Sequence, residues 1–355
     1  MNKLYRNISV LLFVFLLTQA CERPEIGFLS DNIQTPESVI KPPKGIFSTA
    51  ALPIIDGSTY PLKYEIVEIR DGNGQVTTEL TDKHKITVWT SAYNPLTDKT
   101  MELVNKKLKQ SEEPSLLLNE RSGQLAFTPA SLYLKNNDYQ IDMKVSNIRG
   151  EQIFKNFAKI SFKPFVPLEF PTTSRFMVQL AKAATPNTFV NFKEQQIPSE
   201  SALANQIIAG THPFISIKKI SNDGAPGLKV NLKIQDQNGL DLLKKLDEYG
   251  FYPSGATNLS SFHDNSVQTN ETDKGTEFNL PAPPFPQWGT YTGASLYLMY
   301  YTIPPSAVDV DWAGLGQKKE DWGNYRGYIR FGIKINEPGT WEIVYKAQGL
   351  IRKRK

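Results

Sequence analysis

The single cysteine of the chain, Cys21, is the residue whose type and position most clearly indicate chemistry. It is preceded by a basic head, by an apolar run from Val10 to Leu17, and by the small residue Ala20. An apolar run of about eight residues cannot span a bilayer, because a transmembrane helix needs roughly 20 such residues. The order of basic, apolar and small residues is that of a secretory signal. We therefore predict that residues 1–20 are a signal peptide.

The stretch Leu17-Thr18-Gln19-Ala20-Cys21 resembles the lipobox of bacterial lipoproteins. In that family the cysteine is acylated and becomes the new N-terminus, so the resemblance implies that Cys21 anchors the protein to a membrane. Thr18 departs from the pattern, because leucine is most common at that position. The alternative is an ordinary secretory signal beside a chance cysteine. The lack of a disulfide partner for Cys21 favours acylation over that alternative.

Residues 21–45 are expected to form a lipidated tether. The prolines between Pro36 and Pro43 are typical of an extended, semi-rigid spacer. Glu22 and Glu25 resemble the acidic export signal of Bacteroidota surface lipoproteins, which implies exposure at the cell surface. Because one acyl chain binds a membrane only weakly, stable anchoring takes two or more. The triacylated cysteine that the lipobox resemblance implies meets this requirement.

The charge balance does not indicate a nucleic-acid partner. The chain has 40 Lys and Arg against 36 Asp and Glu, a formal net charge of +4. Removal of the signal peptide takes Lys3 and Arg6 away and leaves about +2. Nucleic-acid-binding domains are clearly basic and have basic stripes. The basic run at residues 352–355 predicts a solvated tail, with a contact to anionic lipid headgroups as the alternative.

No arrangement of residues in the sequence favours catalysis. The three histidines, His84, His212 and His263, are not spaced as zinc ligands, and Cys21 is assigned to the lipid. No G-x-S-x-G motif is present. Carboxylate pairs could hydrolyse glycosides, but no spacing distinguishes one pair from the others. We therefore predict that the protein is not an enzyme and treat a glycoside hydrolase as the least favoured alternative.

Asp309 and Asp311, followed by Gly314, match part of a calcium loop. The third acid and the closing glutamate of an EF-hand are missing. The pattern therefore favours a solvated acidic turn over a loop calcium site. We predict no metal ion and no cofactor.

The hydrophobic pattern predicts a mainly β protein with two β-sandwich domains, at residues 46–165 and 166–355. Polar and apolar residues alternate in Tyr139–Val145, which is typical of a half-buried strand. The turns and strands of the first domain resemble those of cadherin-like or immunoglobulin-like bacterial modules. The proline-rich stretch at residues 163–171 marks the boundary, since proline cannot complete a strand ladder.

The second domain is predicted to be the larger sandwich, with short helices that connect its strands. Ser199 and Gly210 could cap one helix, and the leucines between Gly239 and Gly250 have helical spacing in another. The strands at residues 328–335 and 340–347 are separated by a turn, which predicts an antiparallel hairpin.

Aromatic residues are concentrated in loop-like segments of the second domain, where an exposed ring can stack on a sugar. Loops carry binding residues more often than the strands that support them. The candidate ligand-binding residues are Trp288, Trp312, Trp322, Tyr252, Asp264 and Asn265. The alternative is that these rings cover the ends of the sandwich, since tryptophan is highly buried on average. Trp89 and Trp341 lie in predicted strands and are assigned to the core.

Together these features resemble surface lipoproteins of Bacteroidota, of the kind encoded beside outer-membrane importers that resemble the starch-utilisation system. The resemblance implies an outer-membrane, cell-surface protein, anchored through acylated Cys21, that binds polysaccharide or supports an importer complex. The alternative function is a structural or protein-interaction module of the cell envelope. That module would have buried aromatics and an exposed apolar patch or free strand edge.

Overall fold

A computed structural model of the chain describes residues 27–94, 96–170, 175–182, 189–196, 201–251, 262–283 and 297–353. The described part is mainly β-structure in several sheets, as the sequence predicts. It divides into two compact units. The first unit comprises the described residues of Met1–Ile86 and Glu112–Phe165, and the second those of Thr87–Ser111 and Val166–Lys355.

The structure describes eight strands between residues 27 and 165. They are β1 (Ser48–Thr49), β2 (Lys63–Asp71), β3 (Lys83–Trp89), β4 (Leu108–Pro114), β5 (Leu116–Leu118), β6 (Leu125–Phe127), β7 (Asp138–Asn147) and β8 (Gly150–Ser161). They form sheets in the orders β1-β6-β5 and β2-β7-β8 and the two-stranded sheet β3-β4. Helix α1 (Met101–Asn105) and a 3₁₀ turn at Pro129–Tyr133 connect strands.

Strand β7 shows why the alternating pattern produces this fold. Tyr139, Ile141, Met143 and Val145 are all buried in one hydrophobic core, as their shared face predicts. The opposite face carries polar side chains, but Asp142 on that face is also completely buried. The hydrophobic period therefore identifies the strand and its core face, and Asp142 is an exception that needs its own partners.

The segment expected to be a spacer is part of the first unit from residue 27 onward. Ile33 and Ile40 are buried in its core. The backbone of Ile40 receives a hydrogen bond from Ser161 and donates one to Lys159, at 2.9 and 2.8 Å. The tether prediction is wrong for residues 27–45, because the two isoleucines are buried in the core and Ile40 pairs with β8. The prolines do not prevent this, since proline is tolerated along the edge of a sheet.

The second unit contains the remaining strands. They are β9 (Leu168–Glu169), β10 (Arg175–Lys182), β11 (Phe189–Gln196), β12 (Ile215–Ser221), β13 (Leu228–Asp236), β14 (Asp241–Leu242), β15 (Gly250–Phe251), β16 (Gln268–Thr272), β17 (Gly275–Leu280), β18 (Tyr297–Ile303), β19 (Val308–Val310), β20 (Tyr325–Ile335), β21 (Gly339–Ala347) and β22 (Leu350–Arg352). The helices are α2 (Ala202–Ala209) and α3 (Phe262–Asn265), with 3₁₀ turns at Lys244–Leu246 and Lys319–Asp321.

Two large sheets of the second unit share one hydrophobic core. Their strand orders are β11-β10-β20-β18-β15 and β12-β21-β13-β17-β16. Phe331 of the first sheet stacks on Tyr345 of the second, with ring centroids 5.3 Å apart. The hydroxyl of Tyr345 also donates a hydrogen bond to the backbone carbonyl of Met177, at 3.1 Å. Such contacts across the interior are those of two sheets packed face to face.

The predicted hairpin of β20 and β21 is wrong, although both strands exist. Strand β20 belongs to one large sheet and β21 to the other, where β21 pairs in parallel with β13. Asn336 holds the corner between them, because its side-chain amide donates to the carbonyl of Val166, at 2.9 Å. Alternation identifies a strand and its buried face, but it does not identify the strand beside it.

The two helix predictions have different outcomes. Helix α2 forms, but Ser201 caps it instead of Ser199, and Gly210 ends it in the left-handed conformation, with φ of 74°. The helix expected between Gly239 and Gly250 is wrong. Leu242 pairs with Ile234 of β13 in the sheet. Strand pairing has overridden the helical spacing of the leucines.

Candidate functional site

The candidate residues proposed from the sequence are described to different extents. Cys21, Tyr252 and Trp288 lie outside the described residues. Asp264 lies in α3, where only its backbone is described. The remaining candidates, Trp312, Trp322 and Asn265, are described with their side chains.

Trp312 and Trp322 lie together in an aromatic cluster that includes Tyr325. The centroids of the two indole rings are 6.1 Å apart, and the ring of Tyr325 packs edge-on against Trp312 at 5.3 Å. The hydroxyl of Tyr325 donates to the carbonyl of Val308 at 3.2 Å, which fixes the ring against β19. The loop between β19 and β20 therefore folds back on itself, so that the ring of Trp312 contacts the rings of Trp322 and Tyr325.

Trp322 cannot serve as a sugar platform in this arrangement. Only 5% of its surface is exposed. The ammonium of Lys182 lies 5.4 Å from the centroid of its ring, which is a cation–π distance. The prediction of an open platform at Trp322 is wrong, because the ring packs into the sandwich core and contributes its large apolar area there.

Trp312 is only partly buried and remains a candidate ligand-binding residue. The loop that follows it is closed by backbone hydrogen bonds, from Gln317 to the carbonyl of Trp312 and from Leu315 to that of Asp311. Of the two strand tryptophans assigned to the core, Trp341 is buried as predicted, whereas Trp89 is only partly buried at the end of β3.

The acidic residues beside this loop have protein partners. Asp309 forms an ion pair with Lys353, with 3.3 Å between Oδ1 and Nζ. Asp311 accepts a hydrogen bond from the backbone N–H of Gly314 at 3.0 Å, which closes a turn. Within the ranges that the structure describes, no group of three or more His, Cys, Asp or Glu side chains could hold a metal ion.

Asn265 lies at the end of α3 beside a buried aromatic cluster. Its backbone carbonyl accepts a hydrogen bond from the hydroxyl of Tyr93 at 3.1 Å. Its neighbour His263 stacks on Phe251 at 4.3 Å and forms a hydrogen bond of 3.0 Å with the hydroxyl of Tyr301. Burial lowers the pKa of His263 to about 4, so its ring is neutral at pH 7. This cluster belongs to the core of the second unit.

The basic C-terminal run is not a free tail at its first two residues. Arg352 lies in β22 and binds the buried carboxylate of Glu248, with 2.9 Å between Nη2 and Oε1. Lys353 donates to the carbonyl of Pro305 at 2.7 Å as well as pairing with Asp309. The solvated-tail prediction is therefore wrong for both, because each cation is held by an acceptor of the fold.

The first unit exposes several large apolar side chains that the sequence interpretation missed. Most of the large apolar side chains that are exposed in the described ranges belong to this unit, although the second unit is larger. Leu52 and Ile54 are two of them, separated by one residue. The signal was in the sequence, since both residues lie in a segment rich in apolar residues. It was missed because exposure cannot be read from residue type alone.

Comparison of the chain with family models, with curated proteins and with solved structures gives no match. In the part of the chain that the structure describes, no helix is long and apolar enough to span a membrane.

Proposed function

We propose that the protein is a lipid-anchored, non-catalytic module of the bacterial cell envelope that acts by binding another protein. The observation that carries this proposal is the exposure of the large apolar side chains Leu52 and Ile54 in the first unit, whose described part begins six residues after Cys21. An apolar surface held close to a membrane is suited to docking on a membrane-bound complex. An outer-membrane importer exposed at the cell surface is the partner that the resemblance to Bacteroidota lipoproteins favours.

The buried carboxylates support a binding function rather than a catalytic one. Each of those that are almost completely buried in the described ranges is held by a cation or by backbone N–H groups. The pairs are Asp98 with Lys107, Asp142 with Arg70 and Glu248 with Arg352, while Asp236 accepts backbone hydrogen bonds from Asn238, Leu240 and Arg352. General acid–base chemistry needs a carboxylate that faces a substrate. These acids instead stabilise the fold.

The packing of the aromatic cluster also favours the interaction module over glycan capture. A protein that binds sugar through flat aromatic surfaces presents its rings to solvent, whereas Trp322 is packed in the core. Glycan binding through Trp312 remains the second candidate function, since that ring is partly exposed.

The experiment is separation of membrane complexes from cells that produce the full-length chain. We expect the protein in the outer-membrane fraction, and in mild detergent we expect it in a complex larger than the monomer. Leu52→Ser combined with Ile54→Ser should release the monomer, while Val76→Ser, at another exposed apolar residue, should not. A monomer in the unsubstituted protein, or release by Val76→Ser alone, would contradict the proposal.

A further inference from the structure

The described fold begins close to the proposed lipid anchor. Gly27 is the first described residue and is buried, and it lies six residues after Cys21. A fully extended chain of six residues spans at most about 22 Å. The end of the first unit that contains Gly27 must therefore lie within about that distance of an acylated Cys21. This limits which surface of the unit can face the lipid headgroups.

Three short segments meet at that end of the first unit. Phe28 exchanges hydrogen bonds with Thr59, from its N–H to Oγ1 at 2.9 Å and from the N–H of Thr59 to its carbonyl at 2.8 Å. The side-chain amide of Asn147, at the end of β7, donates to the carbonyl of Phe28 at 2.8 Å and to that of Thr59 at 3.0 Å. A β-carbon on Gly27 would lie 3.4 Å from the side chain of Ile148.

Large apolar side chains project from these three segments and remain exposed. Phe28 is 53% exposed, Tyr60 is 64% exposed and Ile148 is 55% exposed. Arg149 and Lys63 beside them are exposed cations. We define Phe28, Tyr60, Ile148, Arg149 and Lys63 as the anchor-proximal patch. Its composition is that of a surface at a membrane interface, where aromatic rings lie at headgroup depth and basic side chains attract anionic lipid.

We propose that the anchor-proximal patch contacts the lipid bilayer and holds the first unit upright on the membrane. The proposal rests on the proposed function, because acylation of Cys21 brings the patch to the lipid. The occupant is a bilayer rather than a second protein because the connecting segment ends at this patch and is too short to hold it far from the headgroups. The exposed residues Leu52 and Ile54 are then left for a protein partner.

The far end of the same sheet provides a matched control. Strand β2 runs from Lys63 in the patch to Asp71, and Val76 forms a bridge with Arg70 near that distant end. At about 3.4 Å per residue, Val76 lies roughly 25 Å along the strand from Lys63. Val76 is apolar and 70% exposed, so it matches Ile148 in character but should be far from lipid.

The test uses the full-length chain, purified from membranes and reconstituted in vesicles of phosphatidylethanolamine and phosphatidylglycerol. Ile148→Cys, Tyr60→Cys and Val76→Cys are each labelled with a nitroxide, because an acylated Cys21 leaves the new thiol as the single reactive one. Relaxation by dissolved oxygen and by a water-soluble nickel complex then reports the depth of each probe. Intact-mass measurement of every sample records whether Cys21 is acylated.

We expect the ratio of relaxation by oxygen to relaxation by the nickel complex to be several-fold higher for the probes at residues 148 and 60 than for the probe at residue 76. Water-like ratios at all three sites with Cys21 acylated would overturn the patch proposal, leave the anchor intact and leave the patch free for a protein partner. Lipid-like ratios at all three would overturn the upright orientation. An unacylated Cys21 would overturn the proposed function and this proposal with it.

Discussion

The guanidinium of Arg70 binds the carboxylate of Asp142, which has no exposure to solvent in the middle of β7. The distances are 2.6 Å from Nη2 to Oδ1 and 3.1 Å from Nη1 to Oδ2, the geometry of a bidentate pair. Lys155 and the backbone N–H of Asn156 complete the set of donors, at 2.7 and 2.8 Å. The partners that cover Asp142 thus link β2, β7 and β8.

Arg70→Met should destabilise the first unit, because it leaves a buried carboxylate without its main partner. Removing one partner of a buried ion pair is strongly destabilising, and we expect a fall in Tm of roughly 5–10 °C. Lys155→Met is the control, since Lys155 is mostly exposed and exposed ion pairs contribute little. Differential scanning calorimetry of both variants gives the comparison. An equal effect of the two substitutions would contradict the central role of Arg70.

Acid should destabilise the first unit through the same carboxylate. Hydrogen bonds from Arg70 hold the pKa of Asp142 well below its usual range. A lowered folded-state pKa gives stability that is present above the unfolded-state value of about 3.9 and lost as pH falls below it. Between pH 6 and pH 2, the Tm of the unsubstituted chain should therefore fall more than the Tm of Asp142→Asn. Parallel pH profiles would refute this contribution.

His263 should make the second unit less stable as the pH falls from about 6.5 to 4. Burial lowers its pKa to about 4, so the unfolded chain takes up a proton before the folded chain does. The shift corresponds to a loss on the order of 3 kcal/mol by pH 3. His212 shifts in the same direction through burial, so the informative quantity is the difference between the original chain and His263→Gln.

Chemical denaturation at several pH values between 7 and 3 measures this difference. His84→Gln in the first unit is the matched control, because His84 stacks on Tyr133 outside the second unit. The second-unit transition should keep its full pH dependence in the His84 variant and lose part of it in the His263 variant. The same pH dependence in both variants would show that His263 does not contribute.

Trp312→Ala tests the second candidate function directly. If a polysaccharide binds the mature chain carrying Cys21→Ser, calorimetry should show at least a tenfold loss of affinity in this variant, because truncating an aromatic residue that dominates a binding site costs about 2 kcal/mol or more. Tyr133→Ala removes an exposed aromatic ring of the first unit and should leave binding unchanged. Unchanged binding in the Trp312 variant would exclude this ring as the platform.

Sequence alone predicts the mainly β architecture because the buried faces follow a two-residue period. In β13, Leu228, Val230, Leu232 and Ile234 are buried in alternation with partly exposed residues, as the pattern predicts. The same period predicts the buried face of β21 but cannot identify its neighbour. The pairing of β21 with β13 rather than β20 depends on a corner held by Asn336, which involves residues far apart in the sequence.

The candidate site is less predictable because exposure depends on tertiary packing. Trp322 lies among charged and glycine residues that are typical of a surface loop, yet the cluster with Trp312 and Tyr325 buries it. The sequence also does not show that Ile148 and Phe28 lie close together, since they are 120 residues apart. Both are exposed beside the start of the described fold. The likeness to cadherin or immunoglobulin modules stays a prediction.

The intact mass of the protein purified from membranes of a Gram-negative host shows directly whether Cys21 is acylated. We expect a chain that begins at Cys21 and carries the added mass of a diacylglyceryl group and an amide-linked acyl chain. Cys21→Ser should give a chain without lipid that is recovered in the aqueous fraction. A membrane-derived chain with an unmodified Cys21, or one that retains residues 1–20, would contradict the lipid-anchored module.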